Sequence, residues 1–188
     1  SRYSPLNTYK LIKFLNQKNV FILHCHGAKA STIGKGVKIF SNIKVVSTIH
    51  GHKKNNNAFT NLDALIGVNK LLVENIPKGT YIPNWFNPSH AGERSSRTGP
   101  IIAIGRLEPV KGFNLLIKSW INIQEDLEII GSGPEEQNLH QLIHDLNLSD
   151  RIKIVTNCDY SSIEEKYKTT SGLIVSSHRE GGPRVVLE

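Results

Sequence analysis

Two cations held between two glycines, in Gly105-Arg106-Leu107-Glu108-Pro109-Val110-Lys111-Gly112, are well suited to chemistry on an anion. Arginine offers a planar fork of donors and lysine a point charge. An apolar run of strand length, Ile101–Ile104, leads into Gly105, and an apolar-periodic segment follows Gly112. Strand, glycine, cations and helix start in that order suit a diphosphate. The alternative is a pair of solvated loop cations. A second glycine segment, Ile130-Gly131-Ser132-Gly133-Pro134, also follows an apolar run; Pro134 and Glu135-Glu136 suit the first turn of a helix. A plain strand-to-helix turn needs the same residues.

The last nine residues place Glu180 and Glu188 eight positions apart across Gly181-Gly182-Pro183. The first carboxylate is expected in the loop at a strand end. The second is expected about two turns into the next helix, on roughly the same side. Such a pair can accept from different hydroxyls of one polyol, while Gly181 and Gly182 let backbone N–H groups approach it. The alternatives are a helix-capping Glu180 and an exposed Glu188. His24, His26, His50 and His52 form two His-x-His pairs after consecutive strands, where α/β proteins build sites. Such pairs can ligate zinc, but no third ligand type clusters with them, so no metal is expected. Histidines satisfying loop backbone are the alternative.

Alternating elements must position these groups. Helical spacing marks Leu6–Gln17, Ala28–Phe40, Lys70–Asn75, Phe113–Ile121, Glu135–Leu146 and Ser161–Thr169. Strands are expected at Val20–His24, which reads as buried, and at Lys44–Ile49, Ala64–Val68 and Thr80–Pro83. Others are Ile101–Ile104, Leu127–Ile130, Ile152–Val155 and Leu173–Ser176. Leu115, Leu116 and Trp120, with Leu139, Leu142, Ile143 and Leu146, form core faces. Alternation with short loops means parallel sheets covered by helices. The stretch from Asn84 to Pro100, rich in Asn, Pro, Ser, Gly and Arg, reads as a linker, giving domains over 1–90 and 91–188.

The 188 residues are 38% hydrophobic and 21% charged, an ordinary globular composition. No apolar run approaches the ~18 residues of a membrane span, and the first residues lack a signal-peptide core. Two distant cysteines, Cys25 and Cys158, argue against a disulfide framework and suit a reducing cytoplasm. The formal charge of +7 attracts anions, either a nucleotide diphosphate or an anionic membrane surface. No nucleic-acid motif is present.

Gly105-Arg106-Leu107 with Lys111-Gly112, then Ile130 to Glu135, then Ser176 to Glu188 together resemble the family 4 retaining glycosyltransferases of GT-B fold. The resemblance is strong from Ile101 to Glu188 and continuous from about Asn19 to Asn87. It implies two Rossmann-like domains with parallel sheets facing a cleft, both incomplete here, in a partial chain of a longer protein. It implies a hexosyltransferase using a UDP- or GDP-sugar with retention. The acceptor would be a hydroxyl of a glycan or lipid-linked glycan. Arg106 and Lys111 then bind the diphosphate and stabilise the leaving nucleotide. Glu180 contacts the donor sugar, Glu188 the ribose, and Gly105, Gly131, Gly133, Gly181 and Gly182 border the donor. His26 lines the cleft beside the reacting sugar, and His50-Gly51 matches the next strand end. The absence of any Asp-x-Asp agrees with a metal-independent enzyme without cofactor. The implied setting is cytoplasmic, peripheral on the inner face of the plasma membrane. The other readings are a non-catalytic nucleotide-binding fragment and, ranked lower, a GT-B sugar-nucleotide epimerase.

Overall fold

The computed structural model describes residues 4–51, 56–85 and 98–187. The chain divides into two compact units, Ser1–Trp85 with Glu180–Gly182, and Phe86–Arg179 with Pro183–Glu188. The division falls five residues before the boundary read from composition. The three residues Glu180–Gly182 group with the first unit. Most of the linker, residues 86–97, lies outside the described residues.

In the first unit, α1 (Pro5–Gln17) starts where the Ser4 hydroxyl accepts from Asn7 N–H and proline occupies the first turn. Strand β1 (Ile22–His26) is followed by α2 (Gly27–Phe40), β2 (Lys44–Ile49), β3 (Ala64–Gly67) and β4 (Gly79–Tyr81). The four strands are parallel, in the order β1-β2-β3-β4. Helix α2 lies close on the sheet because Gly34 has no side chain: a Cβ there would sit 2.8 Å from Cys25 Sγ and from Val45. Helix α1 packs Ile12 and Leu15 against Val37 and Ile43. The short helix expected at Lys70–Asn75 is a single 3-10 turn, Lys70–Leu72, capped by the Asn69 side chain.

Strand β1 differs from expectation. It begins two residues later and, among the described residues, lies at the end of its sheet; Ile22 is exposed, as is Phe21 just before it. A continuous apolar run reads as buried on both faces, whereas within β1 only Cys25 is fully buried.

The second unit holds β5 (Gly99–Ile104), α3 (Phe113–Ser119), β6 (Leu127–Ile130), α4 (Glu136–Asp145), β7 (Ile152–Val155), α5 (Tyr160–Thr169) and β8 (Thr170–Leu173). All pairings are parallel, and the order is β7-β6-β5-β8. The connections therefore reverse direction between β5 and β8, at a topological switch point. Trp120 is buried beneath α3 and donates from Nε1 to the Glu125 carbonyl at 2.7 Å. Leu115, expected in the core, points outward. Strand β8 starts three residues early because Thr170 Oγ1 donates to the Pro100 carbonyl and anchors the strand there. After Pro183, where a helix is expected, the described residues form a 3-10 turn, Arg184–Val186.

Among the described residues no helix is long and apolar enough to cross a membrane, and Cys25 and Cys158 are free.

Candidate functional site

The strongest constellation in the second unit lies at its switch point. Strand β5 ends at Ile104, and the chain turns through Gly105-Arg106-Leu107-Glu108 into a 3-10 turn, Pro109–Lys111. Gly112 then takes a left-handed conformation, φ 68°, which an L side chain rarely adopts. A Cβ on Gly112 would also lie 2.3 Å from the Ser176 carbonyl oxygen. The segment leaving β8 is tied to this loop twice. Ser176 Oγ donates to the Lys111 carbonyl at 2.8 Å, and His178 N–H donates to the Val110 carbonyl at 2.9 Å. The loops of the two strands flanking the switch point are thus joined around Lys111.

The second glycine loop nests against the first. A Cβ on Gly131 would lie 1.9 Å from the Gly105 oxygen, and one on Gly133 2.5 Å from the Leu107 oxygen. Leu107 N–H donates to the Ser132 carbonyl, and Glu135 N–H returns a bond to the Leu107 carbonyl. Gly131 and Gly133 are therefore needed for the contact between loops. The amides of Gly105, Leu107, Lys111, Gly112 and Gly131 all donate to protein carbonyls. These five amides are thus engaged within the protein, and Arg106 and Lys111 supply the positive charge of the loop.

Arg106 is 74% exposed and pairs with Glu108 at 2.8 Å, a partner that sequence reading passes over. An exposed pair of this kind contributes little to stability. Glu108 holds the guanidinium over the loop and leaves donors on its other edge. The aliphatic part of Lys111 runs alongside Gly105, whose Cβ would meet Lys111 Cε at 3.4 Å, an ordinary contact.

In the first unit, parallel pairing brings the ends of β1 and β2 side by side, with His26 opposite Thr48. His26 Nδ1 and His50 Nε2 are 3.0 Å apart, and their rings stack with centroids 5.3 Å apart. His24 Nε2 bonds Thr48 Oγ1 at 2.8 Å, and the His24 and His26 rings lie 4.4 Å apart. Burial first, and then the nearby His26, hold His24 below the usual histidine range. The same causes, with a further contribution from His24, lower His50. No group of three or more His, Cys, Asp or Glu suited to a metal occurs among the described residues. His52 lies outside them.

Gly181 is buried in this unit against His50-Gly51: a Cβ on it would fall 2.0 Å from the His50 carbonyl oxygen. Asn84 Nδ2 donates to the Gly182 carbonyl at 2.9 Å. Glu180 is half-buried beside them. The structure thus gathers Glu180, Gly181 and Gly182 with His26 and His50 in one unit. It gathers Gly105, Arg106, Lys111, Gly131 and Gly133 in the other. Glu188 lies outside the described residues. Sequence reading misses Thr48, Asn84, Ser176 and His178, whose polar side chains or amides act through partners distant in the chain.

The family model described as "Glycosyl transferases group 1" matches residues 91–188. An uncharacterized glycosyltransferase of Haemophilus influenzae is 32% identical over 93 residues, covering 47% of this chain and 26% of its own. The amylovoran biosynthesis glycosyltransferase AmsD of Erwinia amylovora is 31% identical over 122 residues, covering 59% of this chain and 34% of its own. The chain therefore spans about a quarter to a third of the length of these curated relatives. The solved sucrose-phosphate synthase of Thermosynechococcus elongatus matches with a TM-score of 0.80 over 96% of this chain and 56% of that one, at 15% identity, a likeness of fold. The α/β architecture with parallel sheets is that of the GT-B proteins.

Proposed function

We propose, from the premise that this chain belongs to the glycosyl transferases group 1 family, that it transfers a hexose from a UDP- or GDP-sugar with retention of configuration. The acceptor is a hydroxyl of a glycan or lipid-linked glycan. The observation that carries this reading is the pair of nested glycine loops at the β5–β8 switch point, with Arg106 and Lys111 on the first loop. Ligands of open α/β sheets bind outside the carboxyl ends of strands at such a point.

Arg106 and Lys111 hold the diphosphate. Cleaving the bond between sugar and phosphate puts negative charge on the leaving β-phosphate oxygen, and fixed cations there lower the barrier. They take the place of a divalent metal, so the transfer is metal-independent and needs no cofactor. Glu180 accepts from a donor-sugar hydroxyl and Glu188 from the ribose. His26 hydrogen-bonds a hydroxyl of the donor or acceptor, and His50 fixes the ring by its bond to Nδ1. The chain offers no clear nucleophile, which favours a front-face displacement. In that step the acceptor oxygen bonds the anomeric carbon, the bond to phosphate breaks, and the leaving phosphate oxygen takes the acceptor's proton. The setting is the cytoplasmic side of an anionic membrane.

Calorimetric titration of UDP, GDP and ADP without metal tests the donor site. One nucleotide should bind, with affinity lowered roughly a hundredfold or more in Arg106→Ala/Lys111→Ala, since each cation contributes charge-assisted hydrogen bonds. Binding that survives in the double variant would overturn the assignment.

A further inference from the structure

Leu107 is the fixed point of the segment that carries Arg106. Its side chain is fully buried in the core of the second unit. Its N–H donates to the Ser132 carbonyl at 2.9 Å, and its carbonyl accepts from Glu135 N–H at 3.0 Å. Glu108 N–H donates back to the Arg106 carbonyl at 2.8 Å, which closes a three-residue turn centred on Leu107. The turn brings the two flanking side chains together. Pro109 then limits the residue before it to extended conformations, and Glu108 adopts one, φ −126° and ψ 151°.

The backbone thus presents the Glu108 carboxylate to Arg106 with little freedom left to lose, and Oε1 meets Nη2 at 2.8 Å. The Glu108 side chain makes no capping bond to the 3-10 turn that it precedes. An ion pair of this kind adds little to stability. Its consequence is where it leaves the guanidinium.

We infer that Glu108 is a positioning residue, which holds one edge of the Arg106 guanidinium so that the remaining donors of the fork are set for a diphosphate. This rests on the donor site proposed above. A guanidinium recognises phosphate through two parallel N–H bonds in one plane, and a free arginine gives up rotamer freedom to make them. Glu108 removes part of that freedom before the anion arrives. Its charge acts in the opposite sense, since a carboxylate repels a diphosphate. That charge is already paired with Arg106 and is screened by salt, whereas the orientation is not, so the placement outweighs the repulsion.

Calorimetric titration of the 188-residue chain with the nucleoside diphosphate it binds tests this at constant ionic strength. Glu108→Ala should weaken binding roughly tenfold, most of the rotamer freedom of an arginine. Glu108→Gln keeps an oxygen that can accept from Nη2 and should stay within about threefold of the unaltered chain. In an Arg106→Ala background, Glu108→Ala should change binding by less than about twofold. The unfolding transition of Trp120 should not move in either Glu108 variant. Tighter binding in both variants would make the carboxylate a competing counter-ion and overturn the inference. So would no change, equal weakening by alanine and glutamine, a loss that persists without Arg106, or a loss matched by a lowered Trp120 transition.

Nuclear magnetic resonance of isotope-labelled protein reads the guanidinium with no nucleotide present. Rotation about the Arg106 Nε–Cζ bond, assigned by the signal missing from Arg106→Ala, should be slower in the unaltered chain than in Glu108→Ala, with Glu108→Gln between them. Equal rates in all three would overturn the inference whether or not a nucleotide binds. A chain that binds no nucleotide yet shows the slowed rotation would keep the placement of Arg106 by Glu108 and lose the donor site, so each reading can fail alone.

Discussion

Among the described residues, the second unit joins twelve buried side chains, from Ala103 to Ile152, into one hydrophobic cluster, whereas the first divides its buried side chains among three smaller ones. Helices α3 and α4 lay Leu116, Ile117, Leu139 and Ile143 into the one cluster. The first unit supplements its packing with buried polar ties. Ser31 and Ser47 share a hydrogen bond, and Ser47 also reaches the Cys25 carbonyl. Asp63 accepts from Val45 N–H at 2.8 Å and pairs with Lys38 at 3.1 Å. Where apolar surface is divided, hydrogen bonds specify the arrangement, each with a modest net contribution. The lesson is that two parallel sheets of four strands can rest on different balances of interactions and should respond differently to perturbation.

The largest expected effect lies in the second unit. Gly131→Ala places a Cβ against the Gly105 oxygen at a φ of 151° and should destabilise this unit by about 3–5 kcal/mol. Denaturation followed by fluorescence of buried Trp120 would show it; an unchanged transition would mean that the nested loops are not rigid. In the first unit, Asp63→Ala should cost about 1–2 kcal/mol by leaving Val45 N–H unpaired, and Asp63→Asn less, since its amide oxygen can still accept. If the two substitutions cost the same, the tie is not the backbone bond. The bond from Val45, burial aside, and the Lys38 pair hold Asp63 below its ordinary 3.8, so its stabilisation is present above that pH and lost as pH falls through the lower folded value.

The smallest effect separates the units by pH. His24 and His50 lie below the ordinary 6.5, so the unfolded chain binds protons more readily than the folded one. The first unit should therefore lose stability as pH falls from about 6.5 through the lower folded values, and the Trp120 transition should not follow in that range. His50→Gln should flatten the decline. An identical pH profile for both units would remove the distinction.

Much of this architecture is legible in the residues. Strands β2, β6 and β7 carry apolar runs bounded by polar turns, and their limits match expectation. Local chemistry also marks the glycine loops and the His-x-His spacing. The nesting of Gly131 on Gly105 and the Ser176 bond to the Lys111 carbonyl join positions 26 and 65 residues apart, which no local pattern encodes. Strand β1 misleads because its composition records affinity for burial, while its exposure depends on what packs against its faces. The placement of Gly181 against His50 is likewise a matter of tertiary packing. By contrast, the first 62 residues contain ten Lys and Arg and no Asp or Glu, a segregation of charge plain in the sequence once the two halves are counted separately.

In the Arg106–Gly112 loop the amides of Leu107, Glu108, Lys111 and Gly112 are bonded within the protein. Position and charge are thereby assigned to different parts of the polypeptide. Backbone bonds and glycines set where the loop stands, while the Arg106 and Lys111 side chains supply its positive charge. Such a loop can change its ligand by exchanging one cation at a time, with no new fold to be found at each step, which makes the switch point a durable platform for divergence.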